Sequence, residues 1–380
     1  MTLKCLLFCS DDKIVRVLRR VLGDLEISVE HCTDSDSAIR KLTRQRFEAV
    51  IVDCTDEKIA SLVLRSARSA PCNKRAVAVA IVDGQNALRS AFELGAHFVL
   101  YKPVSSERAK ASFRAARALM KCERRRNTRF PVQIPVTLVS ADGSSQQNTT
   151  STDLSEGGMA LQQFKRPKNA SRVRVQFTLP GMETKIECAG EFAWENAGRQ
   201  SGVRFVDIST QTREQLNSWL QQHSPEMETD DPPVACKLSD LSLGGCYLEM
   251  ASPFPVRTRL VLAMKVGQLE VEAEGMVRVM HPEVGMGVEL TQHTTLQREQ
   301  VEKFIQALMN SNGVLPELMV KPEGMDNSEG PLSVSQVSDE VEDPLLDLFR
   351  IKSELTTDEF QIELRKQRGS HSSAEATVPA

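Results

Sequence analysis

Two sets of residues in this chain have the types and spacing to do chemistry. The first is the run Arg124-Arg125-Arg126-Asn127-Thr128-Arg129, followed 24 residues after Arg129 by Asp153-x-Ser155-x-x-Gly158. A guanidinium is a planar fork of donors that can meet a phosphate or a purine edge with two parallel hydrogen bonds. Arg125 and Arg129, four residues apart on a charged arm, can therefore close over an anionic ligand from one side, with Arg124 and Arg126 as auxiliary contacts. The turn adds a carboxylate, a small hydroxyl and a glycine that allows backbone approach where a Cβ would obstruct it. The second set is Asp11, Asp12, Asp53 and Lys102, each just beyond an apolar run. In a parallel α/β sheet the carboxyl ends of the strands are where ligand chemistry sits.

The elements that must carry these residues alternate over the first 120 positions. Leu6–Cys9, Ala49–Val52, Val77–Val82 and Phe98–Tyr101 read as buried strands, rich in aliphatic residues with little internal polarity. Between them fall helical spacings: Ile14-Val15-Leu18-Val21-Leu22, Ala38-Ile39-Leu42 and Leu88-Ala91-Phe92-Leu94. Strand, helix, strand at this pitch predicts a doubly wound parallel sheet with helices on both faces.

Residues 1–121 resemble the receiver domain of two-component response regulators. The resemblance is carried by the acids after the first strand, Asp53, the Phe92-Glu93-Leu94-Gly95-Ala96 turn and Tyr101-Lys102-Pro103-Val104. It implies phosphorylation of Asp53, Mg²⁺ held by Asp11, Asp12 and Asp53, and Lys102 paired with the phosphoryl group. The chain departs from that pattern twice. Ser10 stands where one acid belongs, and Ala80, Ile81, Val82 and Asp83 occupy the stretch that should supply a switch hydroxyl. A degenerate receiver, used for docking or dimerisation, is the reading these departures favour.

The charged arm at 122–130 leads into Pro131–Val139, an alternating strand whose two prolines suit an edge or barrel rim. Further short strands at 172–179, 183–194 and 199–206 and a helix from Thr212 to about Gln222 predict a small antiparallel barrel with a closing helix. Residues 122–224 resemble the PilZ domain, a bacterial receptor for cyclic di-GMP, through Arg125-x-x-x-Arg129, Asp153-x-Ser155-x-x-Gly158 and Gly202-Val203-Arg204-Phe205. The resemblance implies that Arg124, Arg125, Arg126, Arg129, Asp153, Ser155 and Gly158 bind cyclic di-GMP. Two arginines suit its phosphates and guanine edges, and Asp153 can accept from guanine N1–H and N2–H₂. Trp194 is either a stacking platform or a rim residue.

The turn recurs. Ser239-Asp240-Leu241-Ser242-Leu243-Gly244-Gly245-Cys246 repeats Thr152–Met159, and strand patterns at 258–266, 268–279 and 285–290 with a helix near Leu296–Leu308 complete a second, degenerate barrel over 234–310. Its basic arm is missing: 24 residues before Asp240 lies Leu216, inside the first copy's helix. Asp240, Ser242 and Gly245 read as a retained turn, and packing or protein binding as the role. Residues 225–233 form a polar linker and 311–341 a stretch of expected disorder. Residues 342–369 suggest a short helical hairpin with Thr356 and Glu359 as a capping box.

The fold class expected is thus multidomain: a receiver-like doubly wound sheet, two small antiparallel β-barrels each with a closing helix, and a partly disordered tail. The 380 residues hold 47 Lys+Arg and 51 Asp+Glu, yet residues 102–130 carry ten basic residues against two acids while 311–380 carry six against fourteen. A basic centre and acidic tail point to an anionic partner near the middle. No apolar run reaches the roughly 18–20 residues of a membrane span. Nine cysteines without a C-x-x-C pair suggest neither a disulfide framework nor a zinc site, consistent with a cytoplasmic location. His31, His97, His223, His281, His293 and His371 lie far apart, and no nucleophile–base constellation is visible, which argues against an enzyme. The expectation is a cytosolic signalling adaptor that binds cyclic di-GMP in the first barrel and relays it by domain rearrangement to a protein output partner. The alternative is a phosphorylation-driven regulator whose barrels bind proteins. Homodimerisation stays open, and nucleic-acid binding ranks behind both because no helix-turn-helix is visible.

Overall fold

The computed structural model describes residues 2–84, 87–140, 145–162, 172–196, 200–206, 208–223, 231–292, 295–311, 315–326, 343–351 and 357–373. They fall into two compact units, one of residues 121–229 and one of 2–120 with 230–380.

In the second of these, β1 (Leu3–Phe8), β2 (Ile27–Cys32), β3 (Ala49–Asp53), β4 (Val77–Val82) and β5 (Phe98–Tyr101) form a parallel sheet in the order β2-β1-β3-β4-β5. This is the doubly wound order of receiver-type proteins, with its topological switch between β1 and β3. Alternation along β1 explains the layers. Leu3, Cys5 and Leu7 pack with α1 (Asp12–Asp24) and Ala109, Phe113 and Leu119 of α5 (Ser106–Asn127), while Leu6 and Phe8 pack with α2 (Ser35–Arg44) and α3 (Glu57–Ser69). A short α4 (Leu88–Glu93) covers Ala80, Val82 and Val99. The periodicity reading omitted β2, because Ser28, Glu30 and His31 dilute the apolar pattern of an edge strand.

The unit of residues 121–229 starts with the last turns of α5. β6 (Phe130–Pro131), β7 (Pro135–Ser140), β8 (Gln146–Ser155), β9 (Gly158–Gln162), β10 (Arg172–Thr178), β11 (Lys185–Glu195) and β12 (Ser201–Val206) run in the order β6-β8-β7-β10-β11-β12-β9. A further β8–β9 pairing closes six of them into a barrel, with β6 outside on β8. Inward residues such as Val136, Leu138, Val175, Phe177 and Val203 form its core, and α6 (Thr210–His223) adds Leu216, Trp219 and Leu220.

The second barrel is a closed ring, β13-β14-β17-β16-β15-β18, made of β13 (Val234–Leu241), β14 (Gly245–Glu249), β15 (Thr258–Val266), β16 (Leu269–His281), β17 (Gly285–Thr291) and, after α7 (Thr295–Met309), β18 (Glu317–Met325). Comparing the rings matches β8 with β13, β9 with β14, β10–β12 with β15–β17, and β7 with β18. The second copy is therefore circularly permuted: the strand that precedes β8 in the first barrel follows the closing helix in the second. This corrects two expectations, that the barrel ends at residue 310 and that 311–341 is disordered throughout. Leu318 and Val320 are buried in the core, and Pro322, which reads as a strand breaker, lies beside a bulge where a missing N–H is tolerated. Residues 327–341, 225–230 and Thr356 lie outside the described residues. α8 (Pro344–Ile351) and α9 (Thr357–Ser373) follow.

Candidate functional site

Arg124, Arg125 and Arg126 are helical, which corrects the reading of residues 122–130 as a charged arm. Ala109, Ala111, Ala115, Ala116 and Ala118 favour a helix that continues to Asn127, where Thr128 N–H bonds back to the Arg124 and Arg125 carbonyls (2.8 and 3.1 Å). Arg125 is buried: its Nε lies 3.6 Å from Glu156 Oε2, and its Nη2 donates to Cys122 Sγ (3.5 Å). Burial pushes the Glu156 carboxyl up from its ordinary value, against the opposing charges of Arg125, Arg126 and Arg213. Charge density along the sequence misled here, because it could not show that Glu156 waits on the barrel to receive Arg125.

Beyond the helix, β6 sets Pro131 opposite Asp153 and Phe130 opposite Leu154. Arg129, about half exposed, donates through Nη1 to Asp153 Oδ1. A bulge between Ser151 and Asp153 re-aims the strand at this point. Arg126 pairs with Glu123 (3.4 Å) and both Arg124 and Arg126 stay partly accessible. Ser155 is buried, its hydroxyl donating to the Gly158 carbonyl (3.0 Å), so it shapes the turn. A Cβ on Gly158 would run into the Val203 carbonyl oxygen. One on Gly157 would lie 2.9 Å from the Arg126 carbonyl oxygen, so Gly157, which the sequence reading passed over, sets how closely the helix end meets the turn.

Register extends the site across the sheet. Asp153 is opposite Ala160, Ala160 opposite Gly202, and Gly202 opposite Trp194. Paired residues share a face, so a carboxylate and an indole flank a floor of two small residues. Three interstrand steps make this row about 14 Å long. Trp194 leans over Gly202 and is 41% exposed. Arg204, next along β12, donates to Glu191 (2.7 Å).

The receiver crevice brings together Asp53 and Lys102, whose Nζ is 2.8 Å from Oδ1. Thr55, absent from the sequence reading, bridges them: it donates to Asp53 (2.7 Å) and accepts from Lys102 (2.6 Å). Burial raises the Asp53 carboxyl, but hydrogen bonds from Lys102 and Thr55 and the lysine charge outweigh it and hold it below its ordinary value. Asp11 is taken up as the N-cap of α1, accepting from Lys13 and Ile14 N–H (2.7 and 3.3 Å). What faces Asp53 Oδ2 is the Cys9 thiol, at 3.4 Å, its pKa pushed up to about 12 chiefly by burial. A thiol held neutral offers no charge to Mg²⁺, a cation that prefers oxygen ligands. The expected grouping of Asp11, Asp12 and Asp53 does not form, and among the described residues no three His, Cys, Asp or Glu side chains are grouped to hold a metal. The crevice does not fit Mg²⁺.

With this geometry in hand, the model of the PilZ domain matches residues 123–222 and again residues 221–307. Those two stretches are PilZ-like, and they follow a domain with the doubly wound, receiver-type fold. No curated protein matches it. Among solved structures, the PilZ domain of CeSA from a cellulose-synthesizing bacterium is 20% identical, covering 26% of this chain and 98% of its own, with a TM-score of 0.22. The receiver domain of a sensor histidine kinase from Pseudomonas aeruginosa PAO1 is 20% identical over 32% of this chain and 98% of its own, TM-score 0.28. The chemotaxis response regulator CheY4 of Vibrio cholerae is 18% identical over 30% and 99%, TM-score 0.29. No helix among the described residues is long and apolar enough to cross a membrane.

Proposed function

We propose that the chain is a non-catalytic signalling adaptor that binds cyclic di-GMP on the first barrel. The observation that carries this is the convergence of Arg129 and Asp153 at one end of a small-residue floor whose other end is Trp194. Arg129 would exchange Asp153 for a phosphate or a guanine edge, freeing the carboxylate to accept from guanine N1–H and N2–H₂. Trp194 offers a face for a base to stack on, and Arg124 and Arg126 add positive charge at the helix end. Arg125 supports the site from below through Glu156 and does not touch the ligand.

Arg124, Arg125 and Arg126 lie in the last turn of α5 and Arg129 follows two residues beyond its end, so a ligand that holds Arg129 is tied through the chain to the helix whose earlier turns pack on the receiver sheet. That continuity supports a relay by domain rearrangement to a protein partner in the cytoplasm. The receiver acts in this scheme as a docking domain, and the neutral Cys9 thiol that faces Asp53 supports that role over phosphotransfer.

The test is calorimetric titration of the full chain with cyclic di-GMP, beside Arg129→Ala and Asp153→Ala. Saturable binding that both substitutions weaken supports the receptor reading. An absence of binding by the wild-type chain at tens of micromolar ligand would refute it.

A further inference from the structure

The two barrels correspond residue by residue through their registers. Arg204 is opposite Gly158 and Gly202 opposite Ala160 in the first; Glu289 is opposite Gly245 and Gly287 opposite Tyr247 in the second. The turn closes identically in both, Phe205 N–H donating to the Gly157 carbonyl and Leu290 N–H to that of Gly244 (2.9 and 2.8 Å). The row Asp153–Ala160–Gly202–Trp194 therefore becomes Asp240–Tyr247–Gly287–Val279. Its floor holds a tyrosine where the first barrel has an alanine.

What covers this face also differs. Beside Gly157 stands the backbone of Arg126, whereas a Cβ on Gly244 would lie 2.6 Å from Leu346 Cδ1 and 2.7 Å from Asp343 Oδ2. Trp194 leans over Gly202, and the Phe349 ring stands over Gly287, 2.5 Å from where a Cβ would be. The start of α8 thus takes, on the second barrel, the place that the end of α5 takes on the first. Asp343 divides its carboxylate between two tasks. Oδ1 accepts from Leu345 and Leu346 N–H (3.1 and 3.3 Å), capping α8, and Oδ2 accepts from Gly244 N–H of the barrel turn (3.0 Å). Leu345, Leu348, Phe349, Phe360 and Leu364 close over Tyr247 and Val279 in a cluster separate from the barrel interior. Gln361 Nε2 donates to the Tyr247 hydroxyl (2.9 Å).

The ring is complete without these helices, since all six of its strands lie between residues 234 and 325. We propose that the second barrel is a helix-binding module, and that its occupant is the chain's own segment 343–373, read through an acidic N-cap at the Gly244 turn and an apolar stripe over Tyr247 and Gly287. An anion at this turn would compete with the Asp343 carboxylate and meet no arginine arm. The helix occupies the position on the second barrel that corresponds, by register, to the row from Asp153 to Trp194 on the first. This inference concerns the second barrel and does not depend on nucleotide binding by the first.

Amide hydrogen exchange on the full chain tests it, comparing wild type with Phe349→Glu/Phe360→Glu and with Asp343→Ala. All three substitutions lie in the tail and leave every barrel side chain in place. In the wild type, α8 and the first turns of α9 should be protected. The double variant should lose that protection by about 100-fold or more while β14, β16 and β17 keep theirs, and Asp343→Ala should lose part of it. A synthetic peptide of residues 343–373, added in trans to the double variant, should restore protection at the Gly244–Gly245 turn. Unprotected helices in the wild type would overturn the proposal, as would a peptide that restores nothing. Loss of barrel protection in both variants would also overturn it, because the helices would then be part of the barrel's own fold.

Discussion

Arg129 ends the first half of the paired signature and Asp153 begins the second, and the two side chains hold each other. β6 brings them together by laying Pro131 against Asp153. The pair is partly exposed, so its own contribution to stability is small, about 1 kcal/mol or less. Each phosphodiester of cyclic di-GMP carries one negative charge, as Asp153 does, and accepts in the same bidentate manner, so the arginine can exchange one partner for the other. Arg129→Ala should therefore leave thermal unfolding nearly unchanged. It removes a charge-assisted contact worth about 1.5–3 kcal/mol, which is roughly 10- to 150-fold in the Kd for cyclic di-GMP by calorimetry.

Trp194, at the far end of the same row, gives a second and independent reading of the site. Base stacking on an aromatic is worth about 1–3 kcal/mol, so Trp194→Ala should weaken binding by roughly 5- to 150-fold. Trp194→Phe keeps a ring and should recover most of that. Fluorescence can follow it directly, because the two tryptophans of the chain, Trp194 and Trp219, both lie in the first barrel. Quenching by cyclic di-GMP that persists in Trp194→Phe would contradict the stacking role, since Trp219 is buried in the core.

Arg125 belongs to the same motif but behaves differently. Its guanidinium and the Glu156 carboxylate are both buried, so removing Arg125 takes away the largest charge opposing burial of the carboxylate and leaves Arg126 and Arg213, at a cost of about 3 kcal/mol or less. Arg125→Ala should lower the urea midpoint followed by tryptophan fluorescence and should weaken cyclic di-GMP binding only through unfolding. The pH dependence has a definite sign. The Glu156 carboxyl is raised above its ordinary 4.5 in the folded barrel, so the folded state binds a proton that the unfolded chain has released. The stability from this group is fully present below about pH 4.5 and is lost as pH rises through the raised value. Glu156→Gln should flatten that part of the pH profile.

These contrasts mark what was legible in the sequence. The strand–helix alternation, the barrel pattern, the repeat and the spacing from Arg129 to Asp153 are local or periodic, and each could be read directly. Residues whose meaning depends on a distant partner could not. Arg125 looks like Arg129 until Glu156 is placed beneath it. Cys9 looks like a core residue until β3 brings Asp53 to its thiol. β18 resembles a Pro/Gly-bearing tail until the permuted ring leaves a gap for it between β13 and β15.

The Cys9 contact leads to a prediction for the receiver. Asp53 is already held by Lys102 and Thr55, and the side chain facing it from β1 is a neutral thiol. Addition of Mg²⁺ with beryllofluoride should leave the amide exchange of the β3–α3 and β4–α4 connections unchanged. The low Asp53 pKa contributes stability that is present above the ordinary carboxylate value and is lost as pH falls through the folded one. Asp53→Asn should remove that acid-side slope while leaving cyclic di-GMP affinity intact. An Mg²⁺-dependent change in the wild type would restore phosphorylation as an input.

The stoichiometry of nucleotide binding follows from the difference between the two barrels. Both keep the Asp-x-Ser-x-x-Gly turn, and Ser242 donates to the Gly245 carbonyl as Ser155 does to that of Gly158 (3.2 and 3.0 Å). The turn is therefore a property of the barrel and does not by itself make a nucleotide site. Among the described residues no arginine-bearing helix end leads into β13, and the sixth strand of the ring, β18, arrives from the C-terminal side. Tyr247 fills the floor as well, and Asp343 already accepts from Gly244. Asp240→Ala should leave calorimetric affinity and stoichiometry at wild-type values, whereas Asp153→Ala should abolish or strongly weaken the whole signal. A residual second class of sites in Asp153→Ala, lost on adding Asp240→Ala, would show that the permuted barrel binds nucleotide after all.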